Sequence, residues 1–168
     1  NKIYSSDNSL TRIKHLLGPN FSHSYIPDID GKDRLKIKSF DVIDGVSPTN
    51  SITYGFEQRL LQKFKLSKSK FETKQILRFN VSQTYDIREA TIEKKSGEDR
   101  LPFSDLRFDL DSHPLESIIL NADSTYNFET DLVKTFNFEA GIKPVDNFWI
   151  IMERRWTRDS SNYILGTL

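Results

Sequence analysis

LPFSDLRFDLDSHPLESIILNADSTYNF, residues 101 to 128, decides how the rest of the chain is read. From Asp105 the even positions are Leu106, Phe108 and Leu110, and the odd ones are Asp105, Arg107, Asp109 and Asp111. That is a period of two, which gives a strand one apolar face and one charged face. Ser112-His113-Pro114-Leu115 interrupts the alternation, and proline cannot donate to a ladder, so the chain is expected to turn there. The alternation resumes with Ile118, Leu120, Ala122 and Tyr126 against Asn121, Asp123 and Thr125. Two amphipathic strands with a tight connection make a hairpin. One face is too heavily charged for a sandwich core, and the other is unusually aromatic.

The same pattern spreads outward. After a turn over 127–131, Phe136, Phe138, Ala140 and Ile142 oppose Thr135, Asn137, Glu139 and Gly141. Lys143-Pro144-Val145-Asp146-Asn147 is expected to turn again. Phe148 to Trp156 sets Ile150 and Met152 against Glu153 and Arg155, although Trp149 and Ile151 blur it. Arg158 to Asn162 turns once more, and Tyr163 to Leu168 begins a strand. Upstream, Leu77, Phe79, Val81 and Tyr85 alternate with Arg78, Asn80 and Ser82. Ser51 to Phe64 sets Ile52, Tyr54, Phe56 and Leu60 against Thr53, Gly55, Glu57 and Arg59, but its second half, Glu57 to Phe64, also suits a helix.

Other stretches are connections. Lys65 to Lys70 is a basic stretch, read as a solvated turn in preference to a lipid-phosphate site, and Arg88 to Arg100, with Ser96-Gly97, reads as a longer loop. Asp28 to Pro48 is loop-like, with Asp30-Gly31 and Asp44-Gly45 as turn signals. Asp28, Asp30 and Asp33 invite a calcium reading, but the glycine comes too early for an EF-hand and no Glu closes the loop, so a solvated loop is preferred. Ser9 to Pro19 supports two readings. A Ser cap, helical spacing and a Gly-Pro stop suggest a helix; Ile13, Leu17, Pro19, Phe21, His23 and Tyr25, all of one parity, suggest a strand.

The long connections, 28 to 50 and 88 to 100, fall on one side of the strands, and the short ones at 66–70, 112–116 and 143–147 on the other. Outer-membrane barrels show this asymmetry. The expected fold is all-β: an antiparallel, up-and-down transmembrane β-barrel segment, about eight strands of a larger barrel. Residues 1–168 are expected to form part of one barrel domain, with no complete second domain. The expected lumen-facing residues are Thr53, Glu57, Arg59, Asp105, Arg107, Asp109, Asn121, Asp123, Thr135, Asn137 and Glu139. Those expected to face lipid are Tyr54, Phe56, Phe79, Phe108, Leu120, Phe136 and Phe138.

Composition narrows the function. The 24 basic and 24 acidic residues of this 168-residue chain balance, so no net field recruits nucleic acid or anionic membrane. Charged residues make up 29% and hydrophobic residues 36%, polar for an ordinary core-forming domain. No apolar run is long enough for a transmembrane helix, but a barrel hides its apolar residues by alternation. With no Cys, neither a disulfide framework nor a thiolate metal site is available in this stretch. The start, Asn1-Lys2-Ile3-Tyr4, is neither an initiator methionine nor a signal peptide, and the chain reads as a piece of something longer.

Catalysis has little support. His15, His23 and His113 are the only histidines. His15 and His23 would lie about 26 Å apart along an extended strand, too far for one metal. Ser112-His113 beside Asp111 could form a hydrolase site only if nucleophile and base met, which adjacent turn residues rarely do. No cofactor, metal site or Gly-rich phosphate loop is expected.

Four fragments in order carry a family resemblance. Arg12-Ile13-Lys14-His15-Leu16-Leu17-Gly18-Pro19 with Tyr25-Ile26-Pro27-Asp28-Ile29-Asp30 resembles the "lKHxxxP…YxYxPxxDQ" run of lipopolysaccharide-assembly proteins, the LptD or organic solvent tolerance family. Phe40-Asp41-Val42-Ile43-Asp44 is similar to that family's "FDxxD". Asn50-Ser51-Ile52-Thr53-Tyr54-Gly55-Phe56-Glu57-Gln58-Arg59-Leu60 is similar to its "NxxtYgLxNrL" strand. Gln83-Thr84-Tyr85-Asp86 and Arg154-Arg155-Trp156 to Tyr163 fit more loosely. Gly31 departs from the family, which usually has Gln there. The family's periplasmic domain, first strands and cysteine segment have no counterpart here, so its gate and disulfide residues are not carried over.

The resemblance favours strand over helix for residues 10 to 26. It implies a non-enzymatic protein of the Gram-negative cell outer membrane that receives lipopolysaccharide from periplasmic bridge proteins and places it in the outer leaflet. It also implies an LptE-like plug lipoprotein inside the barrel and outer-membrane lipid around it. The competing readings are a small closed barrel acting as an anchor or porin-like protein, a barrel-borne lipid hydrolase using Ser112 and His113, and a soluble β-sandwich binding module.

Overall fold

Each alternating stretch is a strand. The computed structural model describes residues 2–5 (backbone only), 12–28, 47–65, 70–93 and 99–168. Nine strands follow in chain order: β1 (Lys2–Ser5), β2 (Arg12–Ile26), β3 (Thr49–Lys65), β4 (Phe71–Asp86), β5 (Leu106–Leu115), β6 (Ile118–Asn127), β7 (Leu132–Val145), β8 (Phe148–Thr157) and β9 (Ser161–Thr167). They form one sheet in which every strand neighbours the next in sequence, with β1–β2 and each pair from β4–β5 to β8–β9 antiparallel. Among the described residues β1 and β9 do not pair, so the sheet is open. β5, β6 and β8 each have 10 residues, the length of a tilted membrane-crossing strand.

The eight expected strands are all present, and β1 is an addition. Residues 12–19 and 57–64 are extended rather than helical. For the first of these the ladder to β1, with Lys2 opposite His15 and Tyr4 opposite Ile13, outweighs the helix signals. The turn signals at Asp30-Gly31 and Asp44-Gly45, Asp30 and Asp33 of the disfavoured calcium reading, the 66–69 turn and Ser96-Gly97 lie outside the described residues.

Three local expectations are corrected. The chain does not turn at Ser112-His113-Pro114-Leu115: β5 runs on to Leu115 with a register shift between Ser112 and Leu115, and the turn is Glu116-Ser117. Nor does it turn at Lys143-Pro144-Val145; β7 shifts register between Ile142 and Val145 and turns at Asp146-Asn147. A bulge leaves one residue outside the ladder, so a proline without an N–H is accommodated there. The two places share a sequence pattern: Pro114-Leu115-Glu116-Ser117-Ile118 and Pro144-Val145-Asp146-Asn147-Phe148. Leu115 faces Ile118 across one hairpin, and Val145 faces Phe148 across the other. The Lys143 N–H donates to the Ser117 carbonyl at 2.8 Å, joining the two ends.

The third correction is in the loop after β4, which opens with a short helix, α1 (Ile87–Thr91). Asp86 caps it by accepting the Glu89 N–H at 2.9 Å. Asp-x-x-Glu ahead of a helix is a capping-box signature that was readable in the sequence. At the hairpin turns, Asp131, Asn147 and Asp159 take positive φ, which short polar side chains tolerate best.

Chain contacts divide the molecule into two compact units. The first holds Asn1–Asn20, Gly55–Ser82 and Asp105–Leu168; the second holds Phe21–Tyr54 and Gln83–Ser104. In the second unit the chain after α1 returns to the end of β4. Asp86 N–H donates to the Pro102 carbonyl (2.7 Å), Ser104 N–H to the Thr84 carbonyl (2.8 Å), and Tyr85 bridges Phe103. The Tyr85 and Phe103 rings pack with centroids 4.9 Å apart.

No hydrophobic side chain among the described residues is buried. The buried polar residues are Gln83 and Ser112, each 8% exposed. A sandwich needs an inner apolar face packed on a second sheet, and these strands have none.

Candidate functional site

The functional feature is a sheet with two chemically opposed faces, best seen across β5–β9. Directly paired residues in an antiparallel ladder share a face, so the register lays out the rows. One row runs Asn80, Asp109, Asp123, Asn137, Arg155, Tyr163. The row beside it runs Arg78, Asp111, Asn121, Glu139, Glu153, Leu165. A third runs Ser82, Arg107, Thr125, Thr135, Thr157, Ser161.

These polar rows are tied laterally. Arg78 reaches Asp109 at 2.9 Å and Asp111 at 3.1 Å, so one guanidinium sits between two carboxylates. Asn121 donates to Glu139 (2.9 Å), Asn137 donates to Asp123 (2.8 Å), and the Thr125 and Thr135 hydroxyls meet at 2.7 Å. Glu153 pairs with Arg155. A concavity of about 350 Å³ opens on this face, lined by Asn121, Asp123, Asn137, Glu139, Glu153 and Arg155 among others. Its amides, carboxylates and guanidinium offer donors and acceptors suited to water or sugar hydroxyls.

The opposite face is apolar. Its rows run Val81, Phe108, Ser124, Phe136, Trp156 and then Phe79, Leu110, Ala122, Phe138. At the proline end Ile118, Ile142 and Ile150 line up. Phe136, Ile142, Ile150 and Met152 are all exposed, as large apolar groups rarely are in such numbers on a water-soluble surface.

The expected site residues fall as follows. Asp109, Arg107, Asn121, Asp123, Thr135, Asn137 and Glu139 share the polar face, and Phe79, Phe108, Leu120, Phe136 and Phe138 share the apolar one. Asp105 stands just before β5, accepting from Asn127 (2.7 Å) and pairing with Lys134 (3.0 Å). Burial pushes its carboxyl up, but those two partners outweigh it and hold the group below the usual carboxylate range. Glu57 and Arg59, two apart on β3 and therefore on one face, pair with each other at 2.8 Å. Phe56 is exposed.

Gly55 is tightly enclosed: a Cβ there would meet the Val81 carbonyl oxygen at 2.4 Å and Asn20 Oδ1 at 2.6 Å. In the second unit, Thr53 meets the Thr84 hydroxyl (2.8 Å) and Tyr54 donates to Gln83 Oε1 (2.6 Å). Gln83 in turn donates to the Ser104 carbonyl at 3.0 Å. Sequence reading placed Gln83 in a family fragment but gave it no structural role, because that role depends on partners distant in the chain.

Ser112, His113, His23 and Asp28 have different surroundings. Ser112 is buried and donates its hydroxyl to the Ile76 carbonyl at 3.1 Å. His113 lines a separate concavity of about 180 Å³ with Gln62, Lys74 and Glu116. His23 contacts Asn50 at 3.0 Å, and Asp28 pairs with Arg88 at 3.2 Å. Among the described residues no group of three acids or histidines is arranged to hold a metal, and no helix is long and apolar enough to cross a membrane.

Comparison with known proteins supplies the remaining link. No curated protein matches the chain significantly. A family model does, described as LptD, LPS transport system D, and it matches residues 7–167. An open, two-faced antiparallel sheet is what a segment of an outer-membrane barrel requires. The chain belongs to the LptD family, outer-membrane proteins of lipopolysaccharide transport and assembly.

Proposed function

We propose that residues 1–168 form part of a single outer-membrane β-barrel domain that inserts lipopolysaccharide into the outer leaflet. The apolar face meets membrane lipid, and the polar face lines a hydrated lumen. The observation that carries this reading is the combination of regular alternation with the lack of any buried apolar side chain among the described residues. An exposed apolar face is stable only where something apolar covers it, and a bilayer does so without a second sheet. A polar face of carboxylates, amides and threonines keeps its water, so a saccharide headgroup can pass along it while acyl chains leave sideways into lipid. A plug lipoprotein similar to LptE occupies the lumen, and periplasmic bridge proteins deliver the substrate.

The test uses the full-length protein in cells. Photo-crosslinking side chains at Asp123 and Asn137 are expected to capture lipopolysaccharide or the plug, and one at Phe138 to capture lipid. Depletion is expected to raise permeability to hydrophobic compounds and to remove newly made lipopolysaccharide from the surface. Normal surface lipopolysaccharide after depletion, or identical adducts from both faces, would overturn the reading.

A further inference from the structure

One residue breaks the apolar face. Phe148, Ile150, Met152 and Trp156 of β8 share a parity, and Arg154 shares it with them. The register sets Arg154 opposite Phe138 on one side and Ile164 on the other, and Ile164 is 70% exposed. Between the bulged ends of β5–β9 the other arginines, Arg107 and Arg155, lie on the polar face. Arg155 has an acidic partner there, as do Arg59 and Arg78. Arg154 has neither an ion pair nor a hydrogen bond among the described residues.

Its surroundings are not random. Trp156 follows on the same face, and Arg158 places its guanidinium carbon 5.4 Å from the Trp156 ring centroid. Arg158 Nε donates to the Val133 carbonyl at 2.8 Å, which fixes the side chain, while its Nη groups have no acceptor among the described residues. Asn162 lies directly opposite Trp156 and adds an amide to the same face. Arg154, Trp156 and Arg158 thus follow one another at i, i+2 and i+4, with the Arg158 guanidinium near the indole.

We propose that Arg154, Trp156 and Arg158 bind the phosphorylated headgroup of a membrane lipid on the outer surface of the barrel. The proposal rests on the reading that the apolar face meets lipid. Arg154 is three residues from the end of β8, on the order of 10 Å along the strand, so its long side chain reaches the interface rather than the bilayer centre. That end carries the long connections, the external side of a barrel. An unpaired cation on an apolar surface is costly, and the anions available at that depth are headgroup phosphates. A guanidinium matches a phosphate with two parallel hydrogen bonds, and tryptophan favours the same interfacial layer.

The experiment takes the full-length protein in maltoside micelles, which contain no phosphate, and follows lipid adducts by native mass spectrometry. Phosphatidic acid is titrated against diacylglycerol, which has the same chains and no phosphate, and against inorganic phosphate. The wild type is expected to prefer phosphatidic acid. The double variant R154L/R158L is expected to lose about tenfold or more of that affinity, Arg154→Lys less, and Lys143→Gln none. Undiminished phosphatidic acid binding by the double variant overturns the proposal, as does equal saturation by inorganic phosphate.

A photo-crosslinker in place of Ile164 separates the two levels. A lipid adduct there with unchanged affinity in the double variant defeats the phosphate site alone; no lipid adduct defeats the lipid-facing reading as well. An adduct with an acidic protein segment instead would mean that a protein partner supplies the anion, and would overturn the proposal.

Discussion

The β5–β9 part of the first unit and the compact second unit are held together in opposite ways. In β5–β9 the backbone ladder is continuous, each side chain needs only to stand on the correct face, and few contacts reach beyond the adjacent strand. The second unit has little alternation to rely on. It is tied by Gln83 between Tyr54 and Ser104, by Thr53 with Thr84, and by a loop that returns to β4. The first arrangement tolerates many residues of the right class at each position. The second depends on particular atoms, so a single substitution should undo it.

The largest expected effect is on the apolar face. Phe108→Arg in the full-length protein should cost roughly 2–4 kcal/mol if that site lies near the bilayer midplane, read as a loss of folded protein in lipid vesicles by heat-modifiable gel mobility. A loss no greater than that of a surface change would mean that Phe108 does not meet lipid.

In the second unit, Gln83→Ala removes the partners of the Tyr54 hydroxyl and the Ser104 carbonyl. The cost should be about 1–3 kcal/mol, confined locally, and visible as faster hydrogen exchange at Asp86 and Ser104 with β6 and β7 unchanged. Slower or unchanged exchange would show that the returning loop is held by something else.

A smaller effect comes from acid. The Asp105 carboxyl is held below its ordinary range in the folded protein, so its contribution is complete above that range and is lost as pH falls through the lowered value. Amide exchange at Asn127 and Lys134 should therefore quicken only in strongly acidic buffer, and Asp105→Asn should remove that step. A step that persisted in Asp105→Asn would assign the titration to another group.

The smallest effect sharpens the contrast with Phe108. Asn137 lies on the polar face, and Asn137→Lys should change stability by less than about 0.5 kcal/mol in the same vesicle assay. Equal damage from Asn137→Lys and Phe108→Arg would require two buried faces.

The sequence by itself determined the strands from β4 onward and the face of nearly every residue on them, since alternation is local and each residue pair repeats it. Arg107, Asp109 and Asp111 against Phe108 and Leu110 could be read without knowing any partner strand. Arg154 was equally readable from Ile150, Met152 and Trp156, but Trp149 and Ile151 obscured the parity. The tertiary structure alone decided what depends on a neighbour. Pro114 and Pro144 look like turns in isolation and become bulges because the adjacent ladder continues past them. Gln83 is an ordinary polar residue until Tyr54 and Ser104, 29 and 21 positions away, arrive at hydrogen-bond distance. Which face a side chain takes is set by its own place in the strand, whereas register, bulges and lateral hydrogen bonds are set by pairing between distant segments, which no local pattern encodes.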